Sequence, residues 1–414
     1  MGAQFTSEFF EANRRKLQSL FTGKAPIVLT AHGLLQRSSD ETYPFRQDRN
    51  FWYLTGIEEP DAILVIDKAK EYLILSEDHP HRVRFDGALD YEALAQVSGI
   101  EEVLDAKVGW SRLQSRLKKV KHVATLAASP AYVPFYGFYA NPSRATLIER
   151  IKDVNSRIEL LDLRQHLTQM RMVKQPLELD AIKQAIAITE RSIKATMKKA
   201  WSEQATEIDI ANELSAQFKK NDADDLAFDS VVSFGAHTVA IHHRPDRTVL
   251  GKQDLVLLDV GAESNHYAAD ISRVFSAAKT SKRTRQVFAA AHEALQQALT
   301  MLKPGLTHQK FETDMEQVVG EKLRELGLIK TIDRESVRKY FPTYTAHQMG
   351  LDVHDVHELE KPLLENMVMA VEPGIYIPEE GIGIRIEEDV RITENGIELM
   401  TNALPQDLVS LTMK

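Results

Sequence analysis

Two pairs of carboxylates in the second half of the chain are spaced for chemistry. Leu255-Val256-Leu257-Leu258-Asp259-Val260 is an apolar run with an acid near its end, and Gly261 to Asn265 supplies turn-forming residues before a return strand from Tyr267 to Phe275. With the turn between Ser264 and Asn265, Asp259 falls directly opposite Asp270, the β-carbons about 5 Å apart. The pattern repeats downstream. Met369-Ala370-Val371-Glu372 reads as a strand, Pro378-Glu379-Glu380-Gly381 as a turn and Ile382 to Ile392 as the returning strand, a register that sets Glu372 opposite Glu387.

Two apolar hairpins that each bury an opposed acid pair suffer like-charge repulsion and desolvation unless cations lie between the acids. Two divalent ions would supply that charge. Exposure on the polar side of a strand is the commoner fate of a single acid, and Glu379, Glu380, Glu388 and Asp389 are expected to be of that kind. Oxygen ligands with an imidazole suit hard or borderline ions, Mn2+ first, with Co2+, Fe2+ or Zn2+ compatible. Two such ions sharing carboxylates hold a bridging hydroxide and polarise a carbonyl, which is hydrolytic chemistry. The chain has no cysteine, so thiolate zinc sites, thiol nucleophiles and disulfides are excluded and any metal must be held by carboxylate and imidazole.

The elements that must position these residues divide the 414-residue chain in two. Up to about residue 160, helical and strand-like segments alternate: an amphipathic opening from Phe9 to Phe21, then strands such as Ala62-Ile63-Leu64-Val65-Ile66 and Tyr72-Leu73-Ile74-Leu75. The pattern breaks between Arg157 and Pro176. Pro176-Leu177-Glu178 then opens a long helix with apolar Leu179, Ile182, Ile186, Ile193 and Met197. Residues 1–165 are therefore expected to form an α/β domain and residues 166–414 an α+β domain, in which helices over Ile208 to Lys219, Ser281 to Leu302 and Gln309 to Leu326 mix with antiparallel strand pairs.

The net charge is −9, with 60 acidic against 51 basic residues, so the basic excess that nucleic-acid binding requires is absent. The opening residues run into the charged stretch Glu8 to Lys16 without the apolar core of a signal peptide, and no apolar run approaches the ~20 residues of a membrane helix. Gly2 with Thr6 matches the short N-myristoylation pattern, too brief to imply an anchor. A cytoplasmic protein with neither nucleic-acid nor membrane partners is expected.

Tyr344-Thr345-Ala346-His347-Gln348-Met349-Gly350-Leu351-Asp352-Val353-His354-Asp355 lies between the hairpins, and Ile241-His242-His243 precedes them. A histidine in such a segment is more often a structural hydrogen-bonding group than a ligand, and spacing alone does not decide between the two. The order Asp259, Asp270, His347, Glu372, Glu387, with Gly350 to Asp355, Val371-Glu372-Pro373-Gly374 and Gly383-Ile384-Arg385-Ile386-Glu387-Glu388-Asp389, resembles the pita-bread metallopeptidases, which comprise methionine aminopeptidases, prolidases and aminopeptidase P. Further upstream, Arg37-Ser38-Ser39-Asp40, Tyr43-Pro44-Phe45-Arg46-Gln47 and Phe51-Trp52-Tyr53-Leu54-Thr55-Gly56 are similar to the N-terminal domain of aminopeptidase P, a domain that methionine aminopeptidases lack. Creatinase shares the architecture without the metal ligands.

The resemblance implies an N-terminal creatinase/aminopeptidase P-like α/β domain and a C-terminal pita-bread catalytic domain. It implies a dinuclear metallo-aminopeptidase that hydrolyses the N-terminal Xaa-Pro peptide bond of peptides with proline in second position. By the same resemblance Asp259 binds one ion, Asp270 and Glu387 bridge both, and His347 with Glu372 completes the second. Glu372 shuttles the proton of the attacking hydroxide. His354 stabilises the oxyanion, His242 lines the substrate site near the scissile bond, and Arg385 orients the bridging carboxylate two residues on. A homodimer or homotetramer is the usual assembly.

Two positions depart from the family pattern. Phe228 stands where a tyrosine usually supports a metal-bound carboxylate, and Thr343 stands where a further histidine usually enters the substrate pocket. A prolidase cutting Xaa-Pro dipeptides is the near alternative, and a non-catalytic pita-bread binding protein is the alternative from another class.

Overall fold

The computed structural model describes residues 5–68, 70–76, 83–85, 87–127, 132–251, 255–277 and 280–413, so Gly2 of the myristoylation pattern lies outside the described residues. The chain separates into two compact units, Phe5–Met170 and Arg171–Lys414.

The first unit is built on a six-stranded mixed sheet. β1 (Ile27–Thr30), β2 (Ile63–Asp67), β3 (Lys70–Ile74), β4 (Val103–Leu104), β5 (His122–Thr125) and β6 (Glu159–Asp162) lie in the order β4-β3-β2-β1-β5-β6. Val28, Val65 and Tyr72 on the sheet bury against Leu113 and Leu117 of α3 (Ala106–Leu117) and Leu147 and Ile151 of α4 (Ser143–Val154). The buried guanidinium of Arg14, on α1 (Ser7–Leu20), pairs with Glu71 at 2.8 Å and donates to the carbonyls of Leu54 and Ser98, both at 2.8 Å. A buried charge persists only when it is satisfied in this way. The motif around Phe51 forms α2 (Arg49–Thr55), capped by Asp48, whose carboxylate accepts from the amides of Asn50 and Phe51, and closed by Gly56 at φ 68°.

The second unit packs helices on antiparallel strands. α5 (Pro176–Lys198) starts at Pro176, where proline costs no hydrogen bond, and Glu178 Oε2 accepts from the amide of Gln175 at 2.9 Å. Leu179, Ile182, Ile186 and Ile193 are buried along it. α6 (Glu207–Lys220) follows. β7 (Val231–Phe234), β8 (Leu255–Val260) and β11 (Ile271–Ser276) form one sheet in that order, with Val409–Ser410 at its edge. The short strands β9 (Ala262–Ser264) and β10 (Tyr267–Ala268) extend the hairpin between β8 and β11.

A second sheet runs β12 (Ala346–Gln348), β13 (Val368–Val371), β16 (Glu388–Thr393) and β17 (Gly396–Leu399), and the ribbon β14 (Gly374–Ile377) with β15 (Ile382–Arg385) lies between β13 and β16 in sequence. Val287, Ala291 and Leu295 of α7 (Lys282–Met301) and Phe311, Met315 and Val319 of α8 (His308–Glu325) share one core with Met369, Val371, Ile375, Ile384 and Val390.

The second hairpin has the expected register. Gly374 pairs with Arg385 and Val371 with Glu388, so Glu372 faces Glu387 across the break between the two ladders. The first hairpin is shifted by two residues. Its tip is Asn265-His266, both at positive φ (50° and 68°), the conformation of a tight primed turn, and Ser264 pairs with Tyr267. Asp259 therefore pairs with Ser272 rather than Asp270. A shift of two keeps the side-chain face, so Asp270 stays on the side of Asp259 as a diagonal neighbour.

Candidate metal centre

Asp259 is the penultimate residue of β8, Asp270 immediately precedes β11, His347 is central in β12, Glu372 follows β13 and Glu387 precedes β16. Three of these five positions, Asp270, Glu372 and Glu387, lie just outside a hydrogen-bonded ladder. His347 Nε2 is 3.5 Å from Asp270 Oδ2 and 3.5 Å from Glu372 Oε1. Donor atoms of Asp270, His347 and Glu387 lie within 4.8 Å of one another. Arg385 joins the other two acids, its Nη2 2.6 Å from Asp259 Oδ2 and its Nε 3.8 Å from Glu372 Oε2.

Four buried atoms in this group lack a hydrogen-bond partner: Asp259 Oδ1, Asp270 Oδ1, His347 Nε2 and Glu387 Oε1. Native proteins rarely leave such atoms unpaired. Desolvation, then the negative charges of neighbouring acids, holds the carboxyls of Asp270 and Glu387 well above the usual range. Glu372 is pushed up to about 8, by burial first and against the opposing pull of Arg385. Burial, with the neighbouring His354, lowers His347 to about 3 and leaves its imidazole neutral. Crowded acids that resist ionisation, a neutral imidazole and four orphaned lone-pair atoms form a donor set that divalent cations satisfy.

Arg385, 1% exposed, organises the group. Besides Asp259 it donates to Ser272 Oγ from Nε at 2.8 Å and to the Tyr376 hydroxyl from Nη1 at 2.6 Å. Ser272 in turn donates to Glu387 Oε2 at 2.8 Å. Neither Ser272 nor Tyr376 is singled out by sequence reasoning. The available signal is same-face alternation: Ser272 is two residues beyond Asp270, and Tyr376 is two beyond Gly374, the cross-strand partner of Arg385.

The expectation that Glu388 and Asp389 are exposed is wrong. Both are buried, because segments distant in sequence lie against their side chains: Arg273 and Gln406 against Glu388, and Asp270 against Asp389. Glu388 is paired with Arg273 at 2.7 Å, and Asp389 Oδ2 accepts from the Asp270 amide at 3.2 Å. Glu379 and Glu380 are exposed as expected.

The family model for metallopeptidase family M24 matches residues 180–394, and that for the aminopeptidase P N-terminal domain matches residues 10–124. The chain belongs to metallopeptidase family M24. It is 29% identical to the Xaa-Pro aminopeptidase of Haemophilus influenzae over 99% of this chain and 97% of that protein. A structure of Escherichia coli aminopeptidase P superimposes with a TM-score of 0.87 at 26% identity, covering 98% of this chain and 97% of that one. A zinc-substituted form of the E. coli enzyme in complex with product has a TM-score of 0.86 at 25% identity, over 98% and 97% of the two chains.

Around the acids, the M24 domain brings up two more histidines. The His354 ring lies 4.3 Å, centroid to centroid, from that of His347, and desolvation followed by the nearby His242 lowers its pKa. The segment that carries His354 is fastened by Asp355, which is buried and pairs with Arg171 at 2.6 Å and Lys174 at 2.9 Å, while Arg171 also pairs with Asp352 at 2.6 Å. Glycine is required at position 350, where a β-carbon would sit 2.2 Å from Asp355 Oδ2. His242 is exposed, and the carbonyl of the preceding Ile241 lies 3.5 Å from Arg385 Nη2.

Phe228 is half-buried with its ring against Gly261, where a β-carbon would lie 3.0 Å from Cε1. Thr343 Oγ1 is buried without a hydrogen-bond partner. A further set of M24-domain donors, Glu207, His237, His243 and Asp246, clusters within 4.8 Å. Both oxygens of Glu207 are already filled: Oε1 accepts from the Phe234 amide at 2.8 Å and faces His237 Nδ1 at 3.0 Å, and Oε2 accepts from the Asp246 amide at 3.0 Å and faces His243 Nε2 at 2.7 Å. This set is a hydrogen-bonded clamp rather than a cation cage.

Proposed function

We propose that the M24 domain, residues 166–414, carries the active site of a dinuclear metallo-aminopeptidase that cleaves the N-terminal Xaa-Pro bond. The observation that carries this reading is the convergence of Asp259, Asp270, His347, Glu372 and Glu387 with four buried, unpartnered donor atoms among them. The aminopeptidase P N-terminal domain and the likeness to Xaa-Pro aminopeptidases along nearly the whole chain direct it to proline-containing peptides.

Asp259, Asp270, His347, Glu372 and Glu387 would hold two divalent ions, which when bound activate a water and polarise the scissile carbonyl. The oxygen-rich donor set with one imidazole favours manganese. The remaining work belongs to the protein. The carboxylate of Glu372 takes a proton from the attacking water and returns it to the departing proline nitrogen. His354 donates a hydrogen bond to the oxygen that gains negative charge, and His242 lines the pocket beside the scissile bond. Arg385 holds Asp259 directly and Glu387 through Ser272, so two carboxylates keep fixed lone-pair directions.

The enzyme acts in the cytoplasm as a homodimer or homotetramer. Among the described residues no helix is long and apolar enough to cross a membrane. The reading is tested by loading the purified protein with manganese and offering an Xaa-Pro dipeptide and an Xaa-Pro-Yaa tripeptide. The tripeptide should be cut faster. Preference for the dipeptide would make the protein a prolidase, and failure to cut either would reject a peptidase of this specificity.

A further inference from the structure

His242 projects from an exposed loop, yet a group that lines a reaction site must be held to within a fraction of an ångström. The loop contains little regular structure, a single 3-10 turn at Gly235–Val239, so its position depends on side-chain anchors. The anchor with the most bonds is Glu207. It is the first residue of α6, is fully buried, and sends its carboxylate into the loop to meet the Phe234 amide and His237 on one side of His242, and His243 and the Asp246 amide on the other. A carboxylate accepts only, so each imidazole must present its N–H to it, which fixes the orientation of both rings. The two rings lie against each other at a tilt of 36°, centroids 4.3 Å apart.

The backbone on either side of this carboxylate is fixed as well. The Glu207 amide donates to Thr248 O at 3.2 Å and the Ile208 amide to Asp246 O at 3.2 Å. The opposite face of the loop rests on β15. Thr238 Oγ1 accepts from the Gly383 amide at 2.9 Å, and a β-carbon at Gly383 would come within 2.0 Å of Thr238 O. The loop is thus held between Glu207 and the strand that carries Arg385.

We propose that Glu207 is the positioning residue for His242: its four-bonded buried carboxylate, acting through His237 and His243, sets where His242 stands relative to the scissile bond. Glu207 acts through these two imidazoles, since both its oxygens are taken up by the loop. The proposal rests on the assignment of His242 to the substrate pocket.

The test is a double-mutant cycle on the manganese-loaded, full-length protein with an Xaa-Pro-Yaa tripeptide. Glu207→Gln keeps the shape but replaces one acceptor oxygen with a donor. It should lower kcat/KM by roughly 100-fold with unchanged bound metal. In the metal-free protein it should also remove from the proton NMR spectrum the slowly exchanging imidazole N–H signal of whichever of His237 and His243 faces the new amide NH2. In a His242→Ala background the same substitution should cost less than about twofold, since residues acting through one another are not additive.

A Glu207→Gln loss that persists in full beside His242→Ala would overturn the proposal while leaving His242 in its role. A His242→Ala protein as active as the parent would remove both the proposal and the placement of His242 in the pocket. If Glu207→Gln does not fold, His243→Ala and His243→Gln decide. Glutamine can place an amide N–H near the position of Nε2, so it should restore most of what alanine loses, and equal activity of the two overturns the proposal.

Discussion

Arg385 Nη2 lies 2.6 Å from Asp259 Oδ2, while Nε of the same guanidinium, by way of Ser272, governs Glu387. One planar cation therefore sets the direction of two carboxylates on different hairpins. Lysine carries its three donors on one compact nitrogen and cannot span acceptors that Arg385 reaches from three separate nitrogens. Arg385→Lys should raise the manganese concentration needed for half-maximal activity by roughly 10–100-fold, with the fold retained. Titration of the metal-stripped protein with manganese checks this, and an unchanged midpoint would contradict it.

Burial, and then the charges of Glu387, Asp259, Glu372 and Asp389, raises the pKa of Asp270. If those acids are there to hold cations, they work against folding when cations are removed. Asp270→Asn should abolish metal-dependent hydrolysis and yet make the metal-stripped protein at least as stable as the stripped parent at neutral pH. A gain of about 1 kcal/mol corresponds to roughly 2–4 °C in Tm for a domain of this size. A lower Tm for stripped Asp270→Asn would argue that the acids are structural.

Asp355 forms ion pairs with two buried cations, Lys174 at 2.9 Å and Arg171 at 2.6 Å. Removing it strands cations in the interior. Asp355→Ala should destabilise the protein by about 3–5 kcal/mol, measured by denaturant unfolding. A cost under about 1 kcal/mol would mean that the segment carrying His354 is not fastened there.

Glu178 supplies the pH dependence. Burial pushes its carboxyl up from 4.5 to about 7, against the hydrogen bonds from the Gln175 amide and the Tyr267 hydroxyl that pull it down. An acid with a raised pKa binds more protons folded than unfolded between those values, so its contribution is greatest at low pH and is lost as pH rises from 4.5 toward 7. Relative to Glu178→Gln, which does not titrate, the parent should lose on the order of 1–3 kcal/mol between pH 5 and pH 8. Parallel stability curves for the two proteins would refute the shift.

At Thr343 the hydroxyl is buried and makes no hydrogen bond. Thr343→Val keeps the shape and removes that uncompensated group, so stability should hold or rise by up to about 1 kcal/mol. A loss of more than that in thermal unfolding would show that the hydroxyl has a partner.

Much of the site was legible because turn chemistry fixes strand register. Pro378 to Gly381 forms its turn where proline and a left-handed glycine demand, so Glu372 and Glu387 face each other as expected. The first turn lacks a glycine at its tip, and the left-handed conformations of Asn265 and His266 moved it by one position and the register by two. The acids still converged, because side chains alternate with period two. Glu388 and Asp389 could not be read from local pattern, since their burial depends on Arg273, 115 residues from Glu388, and on Asp270 against Asp389. The Glu207 clamp was invisible for the same reason: its partners are 27 to 39 residues away and meet only through tertiary packing.

Three of the five converging residues stand just outside strand ladders, and the five come from distant segments spanning positions 259 to 387. No shorter stretch carries the site. A chain still being synthesised can acquire Asp259 and Asp270 early, but it has no complete set of donors until Glu387 has been added and β16 has paired with β13. Which ion the protein takes is therefore decided by the finished domain, against the metals free in the compartment where folding ends.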